Sequence, residues 1–463
     1  MKYEEYITAK LSSVPPTGIP HDAYIPENGL FDHQKALVKW ACRRGRAAIF
    51  ADTGLGKSRM QLAWSEAVRL HTAKPILILA PLAVAAQTES EGVEIGVNAK
   101  HVRDGAEIED GARIYITNYD RLHRFDPSMF GGVVLDESSI IKHHDAKTLK
   151  ILLEAFNQTP FKLCATATPA PNDWTELGTH AEFLGVCTRH EMLAEFFTHD
   201  GGDTSVWRLK GHARHIFWQW VCQWGALVRR PSDLGFDDTA YNLPPLHLHE
   251  HTVETEMPTN GMLFAMEAQT LSERRDARRM SIADRVADCA SIVNSDKQPW
   301  VVWCDLNAEG EALRAAIPDA VEIRGSDDVE TKERRLADFA AGKIRVLVTK
   351  PSIAGFGLNW QHCARMSFVG VTDSFESYYQ AVRRCWRFGQ RRDVHVHIFA
   401  SEAEGSVVAN LKRKERDALA MAESLSAETR DAVLASVTGQ KRQTNVYNAT
   451  NRVAIPNFMK DAA

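Results

Sequence analysis

The stretch "AAIFADTGLGKSRMQLAWSEAVRL" (residues 47–70) opens as an apolar β-rich run, breaks at two glycines and continues with helical periodicity. Strand, glycine loop and helix in that order predict the first unit of a parallel α/β sheet. N–H groups around Gly54 and Gly56 can wrap a phosphate, because glycine permits close approach and the start of a helix adds a favourable dipole. Thr53, Gly54, Leu55, Gly56, Lys57 and Ser58 are therefore the candidate phosphate contacts. Lys57 is expected to reach the β- and γ-phosphates of a nucleotide and Ser58 to hold Mg²⁺. Ala51 stands where the usual pattern has its first glycine.

Outward from this unit the same alternation recurs. "PILILA" (75–80), "ARIYITN" (112–118), "GVVLDE" (132–137) and "FKLCATAT" (161–168) are further strand-like runs, each followed by a helical or looped segment. A second series holds "WVVWC" (300–304), "AVEIRG" (320–325), "IRVLVTK" (344–350), "RMSFVG" (365–370) and "VHVHIFA" (394–400). The pattern predicts an α/β fold of two parallel-sheet lobes. The expected organisation is an N-terminal ATP-binding lobe (1–170), a helical, tryptophan-rich interlobe segment that neither sheet needs (171–295), a C-terminal lobe (296–400), and a C-terminal helix and tail (401–463). Within "VVLDESS" a buried strand ends on two adjacent carboxylates, an expensive arrangement unless a cation or a reacting group uses them. Asp136 is the candidate Mg²⁺ ligand and Glu137 the candidate base that orients an attacking water.

Composition bounds the function classes. The chain has 463 residues, 44% hydrophobic and 25% charged, with a net charge of −5, which fits several packed units and leaves nucleic-acid binding to local charge. The eight cysteines lack CxxC spacing and read as reduced, mostly buried thiols rather than a zinc site or a disulfide framework. No basic-then-apolar leader opens the sequence and no apolar run is long enough for a bilayer span, so a cytoplasmic setting without membrane contact is expected. A kinase or GTPase switch would use a phosphate loop and an aspartate, but not a second α/β series.

Taken in order, these motifs resemble a superfamily-two helicase or translocase, most similar to the Swi/Snf-like branch and to compact DEAD/DEAH-type helicases of bacteriophages and prophages. The resemblance runs from Gln34 in "GLFDHQKALVKW" to Gln390 in "QAVRRCWRFGQ". It implies that both lobes are RecA-like, that Gln34 reads adenine and that "ATATP" (165–169) couples hydrolysis to lobe movement. It further implies that Pro81, Leu82 and Gln87 in "LAPLAVAAQ", and Thr117, Asn118 and Tyr119 in "ITNYDRL", grip a nucleic-acid backbone from the first lobe. Arg324 and Gly325 in "IRGS", with Thr349 and Lys350 in "TKP", would grip from the second. Gly355 and Gly357 in "SIAGFGLNW" would form a loop that touches both ATP and nucleic acid. "LVRRPSDLG" and "LPP" (243–245) resemble the interlobe stretch of the Swi/Snf branch and lean toward DNA.

The same resemblance explains why "QAVRRCWRFGQRRD" (380–393) packs five arginines into fourteen residues. The family pattern assigns Arg384 and Arg387 as arginine fingers, with Gln380 beside them at the nucleotide. If the stretch is helical, the three share one face. A guanidinium so placed stabilises the charge that spreads over the transferring phosphoryl oxygens. Arg383, Arg391 and Arg392 are left over, for nucleic-acid phosphates or for solvent. The expected function is a DNA-dependent ATPase motor that uses ATP and Mg²⁺, translocates on double-stranded DNA and remodels DNA or protein–DNA complexes. The alternatives are a strand-separating DNA helicase and an RNA helicase. A monomer is expected, with any nuclease, replication or repair chemistry supplied by a partner, in a bacterial or phage-infected cell.

Three features take the plainer reading. His247, His249 and His251 fall on one face of a strand, but no fourth metal ligand is evident, so a solvated face is expected. Trp207, Trp218, Trp220 and Trp224 read as core. The charged stretches at 272–285 and "NLKRKERD" suit a helix face or a phosphate backbone equally.

Overall fold

A computed structural model of the chain describes residues 14–439, except 21, 82–83, 110, 112, 171–172, 201–202, 254–278, 355–358, 371–373, 402–408, 411, 415 and 417–428. The first lobe supplies strands β1 (Arg46–Ala51), β2 (Ile76–Ala80), β3 (Ala99–His101), β4 (Ile114–Asn118), β5 (Gly132–Asp136) and β6 (Phe161–Thr166). The segment that follows adds an antiparallel hairpin of β7 (Phe197–Asp200) and β8 (Asp203–Leu209), then β9 (Gly225–Val228). The first sheet runs β3-β4-β2-β5-β6-β1-β9, with every pairing parallel. Its central strands are buried from end to end, which is why "ILILA" and "VVLD" read as continuous apolar runs instead of alternating ones.

The second lobe holds β10 (Leu246–Val253), β11 (Trp300–Trp303), β12 (Ala320–Glu322), β13 (Val346–Thr349), β14 (Arg365–Phe368) and β15 (Val394–Ser401), in the parallel order β10-β15-β14-β11-β13-β12. A buried ion pair ties two of its helices together. Arg285 of the helix Ile282–Ser295 meets Glu309 of the helix Asn307–Ala316 at 2.9 Å with neither side chain exposed, and Glu309 also accepts the Asp305 and Leu306 N–H groups. Further hydrogen bonds, from those N–H groups to Glu309 Oε2 and from Arg285 Nε to Ser281 Oγ, offset part of the cost of burying the pair.

Both sheets differ from expectation in the same respect. The interlobe segment was expected to lie outside them, yet β9 closes the first sheet beside β1 and β10 closes the second beside β15. Each is an edge strand whose partner is remote in sequence, so nothing local announces the pairing. The tryptophans of this segment behave as core: Trp218, Trp220 and Trp224 are buried around Phe217, while Trp207 is half-buried against the His199 ring.

The histidine face is not merely solvated. Register sets His247 beside His395 and His249 beside His397, and the rings interleave into a ladder. His249 Nε2 lies 3.0 Å from His395 Nδ1, and His251 Nε2 lies 3.0 Å from His397 Nδ1. Each contact requires one protonated and one bare ring nitrogen at the facing atoms, so each is a donor–acceptor pair within the stack. Burial and the neighbouring rings push His397 down to about 4.

The single helix expected from 401 onward falls largely outside the described residues. Residues 429–438 are helical, and they return to the first lobe. Val433 and Val437 are buried in its core, Trp40 Nε1 donates to Ser436 Oγ at 2.9 Å, and Ser436 Oγ donates to the Cys222 carbonyl at 3.0 Å.

Candidate functional site

The loop between β1 and the helix Lys57–Thr72 supplies the first wall of the site. Gly54 and Gly56 sit at φ +89° and +79°, where a side chain is strained, and a Cβ on Gly56 would fall 2.2 Å from Gln34 Nε2. Gln34 is thus part of the loop's foundation. Its Nε2 donates to the Leu55 carbonyl at 2.8 Å and its Oε1 accepts from the Phe31 N–H at 3.0 Å, so its amide braces the loop in this state. Lys57 Nζ points back into the loop, donating to the Ala51 and Asp52 carbonyls at 2.9 and 3.3 Å. Desolvation holds its ammonium below the usual lysine range, opposed by Glu137, Asp52 and Asp136. Ser58 follows in the first helical turn and is half-buried.

The carboxylates form the facing edge, at the end of β5. Asp136 and Glu137 are both buried. Burial first, and the adjacent Glu137 second, raise the Asp136 carboxyl above its ordinary range. Gln61 Nε2 donates to Asp136 Oδ1 at 2.6 Å, the Tyr119 hydroxyl donates to the Asp136 carbonyl at 2.7 Å, and Gln61 Oε1 is buried without a hydrogen-bond partner. Glu137 adopts a left-handed conformation (φ +49°, ψ +53°), uncommon for a non-glycine residue and the kind of strain that collects at functional sites. Its Oε2 accepts from Thr166 Oγ1 at 3.4 Å, which links it to "ATATP".

The second lobe closes the site. The helix Phe375–Val382 ends before the arginines, so Arg384 and Arg387 lie in the turns that follow and do not share a helix face with Gln380. Gln380 and Arg384 are joined all the same: Arg384 Nε and Nη2 donate to the Gln380 carbonyl and Oε1, each at 3.0 Å. Desolvation pushes Arg384 and Arg387 down to about 10, and both feel the attraction of Glu137. Lys57 and Arg387 in turn repel one another. Phosphate loop, carboxylates and arginine turn therefore converge on one cleft. Phe388 lies directly over Gly54, and its ring packs 5.8 Å from Phe31 and 4.8 Å from Tyr241.

One assignment needs correction. Arg383, left over for solvent or nucleic acid, is buried and paired with Asp52 of the phosphate loop at 3.2 Å. The other two arginines remain outside: Arg391 and Arg392 are exposed, and Arg392 donates to Gln298 Oε1 at 3.1 Å within the second lobe.

The residues expected to grip nucleic acid cluster at the carboxyl ends of the strands, the ligand-bearing edge of parallel sheets. Pro81 follows β2, Thr117 and Asn118 end β4, Arg324 and Gly325 follow β12, and Lys350 follows Thr349 at the end of β13. Three of these side chains are engaged within the protein: Thr349 Oγ1 donates to the Ile323 carbonyl at 3.3 Å, Arg324 pairs with Glu322 at 2.7 Å, and Gln87 Oε1 accepts from the Asn359 N–H of the other lobe at 3.1 Å. Thr117 and Asn118 are buried, and their side-chain polar atoms have no hydrogen-bond partner among the described residues. Leu82, Gly355 and Gly357 lie outside the described residues. Motif reading missed Asp52, Gln61 and Tyr379. Gln61 carried a signal, standing four residues beyond Lys57 on one helix face.

Residues 292–389, from the last turn of the helix Ile282–Ser295 to the arginine turn, match the helicase conserved C-terminal domain. The match bears out the superfamily-two resemblance read from the motifs. Across its length the chain is similar to protein p41 of Acyrthosiphon pisum secondary endosymbiont phage 1, at 24% identity over 448 residues, covering 83% of this chain and 95% of the relative. Among solved structures it is similar to the SWI2/SNF2 ATPase core of Sulfolobus solfataricus in complex with dsDNA, at 18% identity and a TM-score of 0.42, covering 90% of this chain and 99% of the other. Among the described residues, no helix of either lobe is long and apolar enough to cross a membrane.

Proposed function

We propose that the chain is an ATP-driven motor that moves along duplex DNA and remodels DNA or the proteins bound to it. The observation that carries this reading is the split site: a phosphate loop and two buried carboxylates on one lobe face two desolvated arginines of the helicase lobe. An enzyme that only hydrolysed ATP could build such a site within one domain. Dividing it between two lobes makes closure depend on the γ-phosphate, so hydrolysis and release can drive the lobes apart.

The side chains have distinct tasks in this scheme. Lys57 and the loop N–H groups bind the phosphates, and Glu137 orients the attacking water and takes its proton. Arg384 and Arg387 stabilise the charge that develops on the equatorial oxygens. Ser58 and Asp136 fit a metal site, since the buried, raised Asp136 carboxyl beside Glu137 is a place where a cation relieves like-charge repulsion. When bound, Mg²⁺ would supply charge that neutralises the phosphates. Grips at the carboxyl ends of β2, β4, β12 and β13 would hold the DNA backbone, which carries no sequence information. The preference for duplex rests on the likeness of "LVRRPSDLG" and "LPP" to the Swi/Snf-type interlobe stretch.

A second reading, strand separation, draws on the antiparallel β7–β8 pair, since a two-stranded element is one that can act as a wedge. One assay divides the two. The translocase reading expects ATP-dependent displacement of the third strand from a DNA triplex and poor separation of a blunt duplex. Efficient unwinding of a tailed duplex, with the triplex left intact, would replace it with the strand-separating reading.

A further inference from the structure

Outside the residues that meet the phosphates or the water, the most heavily built contact in the cleft joins the phosphate loop to the arginine turn. Asp52 Oδ2 lies 3.2 Å from Arg383 Nη2, and Asp52 Oδ1 accepts from the Tyr379 hydroxyl at 3.0 Å and from the Thr53 N–H at 2.6 Å. Arg383 Nε donates to the same Tyr379 oxygen at 3.1 Å. The Arg383 guanidinium also sits 5.3 Å from the Tyr379 ring and 5.0 Å from the Trp386 ring, and Trp386 Nε1 donates to the Pro244 carbonyl at 2.8 Å. The side chains of Arg383 and Asp52 are only 11% and 22% exposed. An arginine held by a carboxylate, a phenol and two ring faces is not free to reach a nucleic-acid phosphate.

Position gives the contact its meaning. Arg383 directly precedes Arg384, and the turn it opens is pinned by the Cys385 and Trp386 N–H groups, both donating to the Val382 carbonyl. Asp52 belongs to the segment whose carbonyls receive Lys57. Burial alone would raise the Asp52 carboxyl, yet Arg383, the Thr53 N–H and Lys57 together hold it below its ordinary range, which keeps the pair ionised.

We propose that Asp52, Tyr379 and Arg383 form a latch between the phosphate loop and the arginine turn, and that Asp52 and Arg383 are positioning residues that aim Arg384 and Arg387 at the γ-phosphate. The proposal rests on the reading of this cleft as an ATPase site. Because the side chains of Asp52, Tyr379 and Arg383 bind one another and not Lys57 Nζ, Glu137 or the two finger guanidinia, loss of the latch acts on the geometry of the transition state more than on nucleotide capture.

The test is a double-mutant cycle in steady-state ATP hydrolysis by the full-length protein, with Asp52→Asn, Arg383→Gln and the double variant, and with Arg383→Lys as the conservative control. Each single neutral variant is expected to lower kcat by about 10-fold or more with KM for ATP changed less than about threefold, and the double variant to be no slower than the slower single, since both remove one interaction. Arg383→Lys, which keeps the charge opposite Asp52, should recover most of the rate while melting within a few degrees of the other variants. Losses that multiply in the double variant, a rise in KM without a fall in kcat, or kcat within twofold of wild type in both singles would overturn the latch. An inactive wild type would overturn the ATPase reading, and the latch with it.

Discussion

Lys57→Ala and Glu137→Gln are expected to abolish ATP hydrolysis while differing in nucleotide retention. Lys57 sits among Glu137, Asp52 and Asp136, and in this scheme it holds the β- and γ-phosphates, so alanine removes that grip and one of the cations facing those carboxylates. Binding and turnover should fall together. Glu137 sits on the opposite edge, in a strained left-handed turn after β5, and its task in this scheme is performed on water. Glutamine keeps its size and removes its basicity, so Glu137→Gln should still hold ATP while turning over at background rate. Equilibrium binding of a fluorescent ATP analogue, measured beside hydrolysis, separates the two behaviours. Turnover near wild type in either variant would contradict the assignment of the carboxylate edge.

Arg387→Ala should lower kcat by about 10³-fold, the scale of arginine-finger losses, with a much smaller change in nucleotide affinity. The contrast lies five residues away. Arg392 belongs to the same arginine-rich run, yet it is exposed and donates to Gln298 and the His362 carbonyl within the second lobe. Arg392→Ala is expected to leave hydrolysis within about twofold of wild type, as surface substitutions usually do. Equal effects in the two variants would mean that the turn has been assigned to the wrong arginines.

What could be read before the structure was local. A strand, a glycine loop and a helix in succession specify their own geometry, and two carboxylates at the end of an apolar strand are conspicuous because burial makes them costly. The α/β lobes followed from such units. What could not be read depends on partners remote in sequence. Arg383 and Asp52 are 331 positions apart, and nothing in "RRCWR" says that its first arginine turns to the phosphate loop and its second to Gln380. β9, and the place of β10 in the second sheet, were missed for the same reason: edge strands acquire their role from the strand they join. The histidine alternation in "LHLHEH" indicated a strand, but the matching histidines of "VHVHIF" become its neighbours only through the register of β10 with β15. The helix end at Val382 separates pattern from conformation, since the spacing of Gln380, Arg384 and Arg387 suits a helix that the chain does not continue.

The most direct test of the account is the steady-state ATPase rate of the purified protein with no polymer, single-stranded DNA, duplex DNA, forked DNA and RNA, each at low and high salt. A motor that follows the backbone of intact DNA predicts that duplex stimulates at least as strongly as single strands, and that stimulation falls steeply with salt as phosphate contacts exchange with counterions. A rate indifferent to every polymer, or one driven best by single strands or RNA, would contradict it.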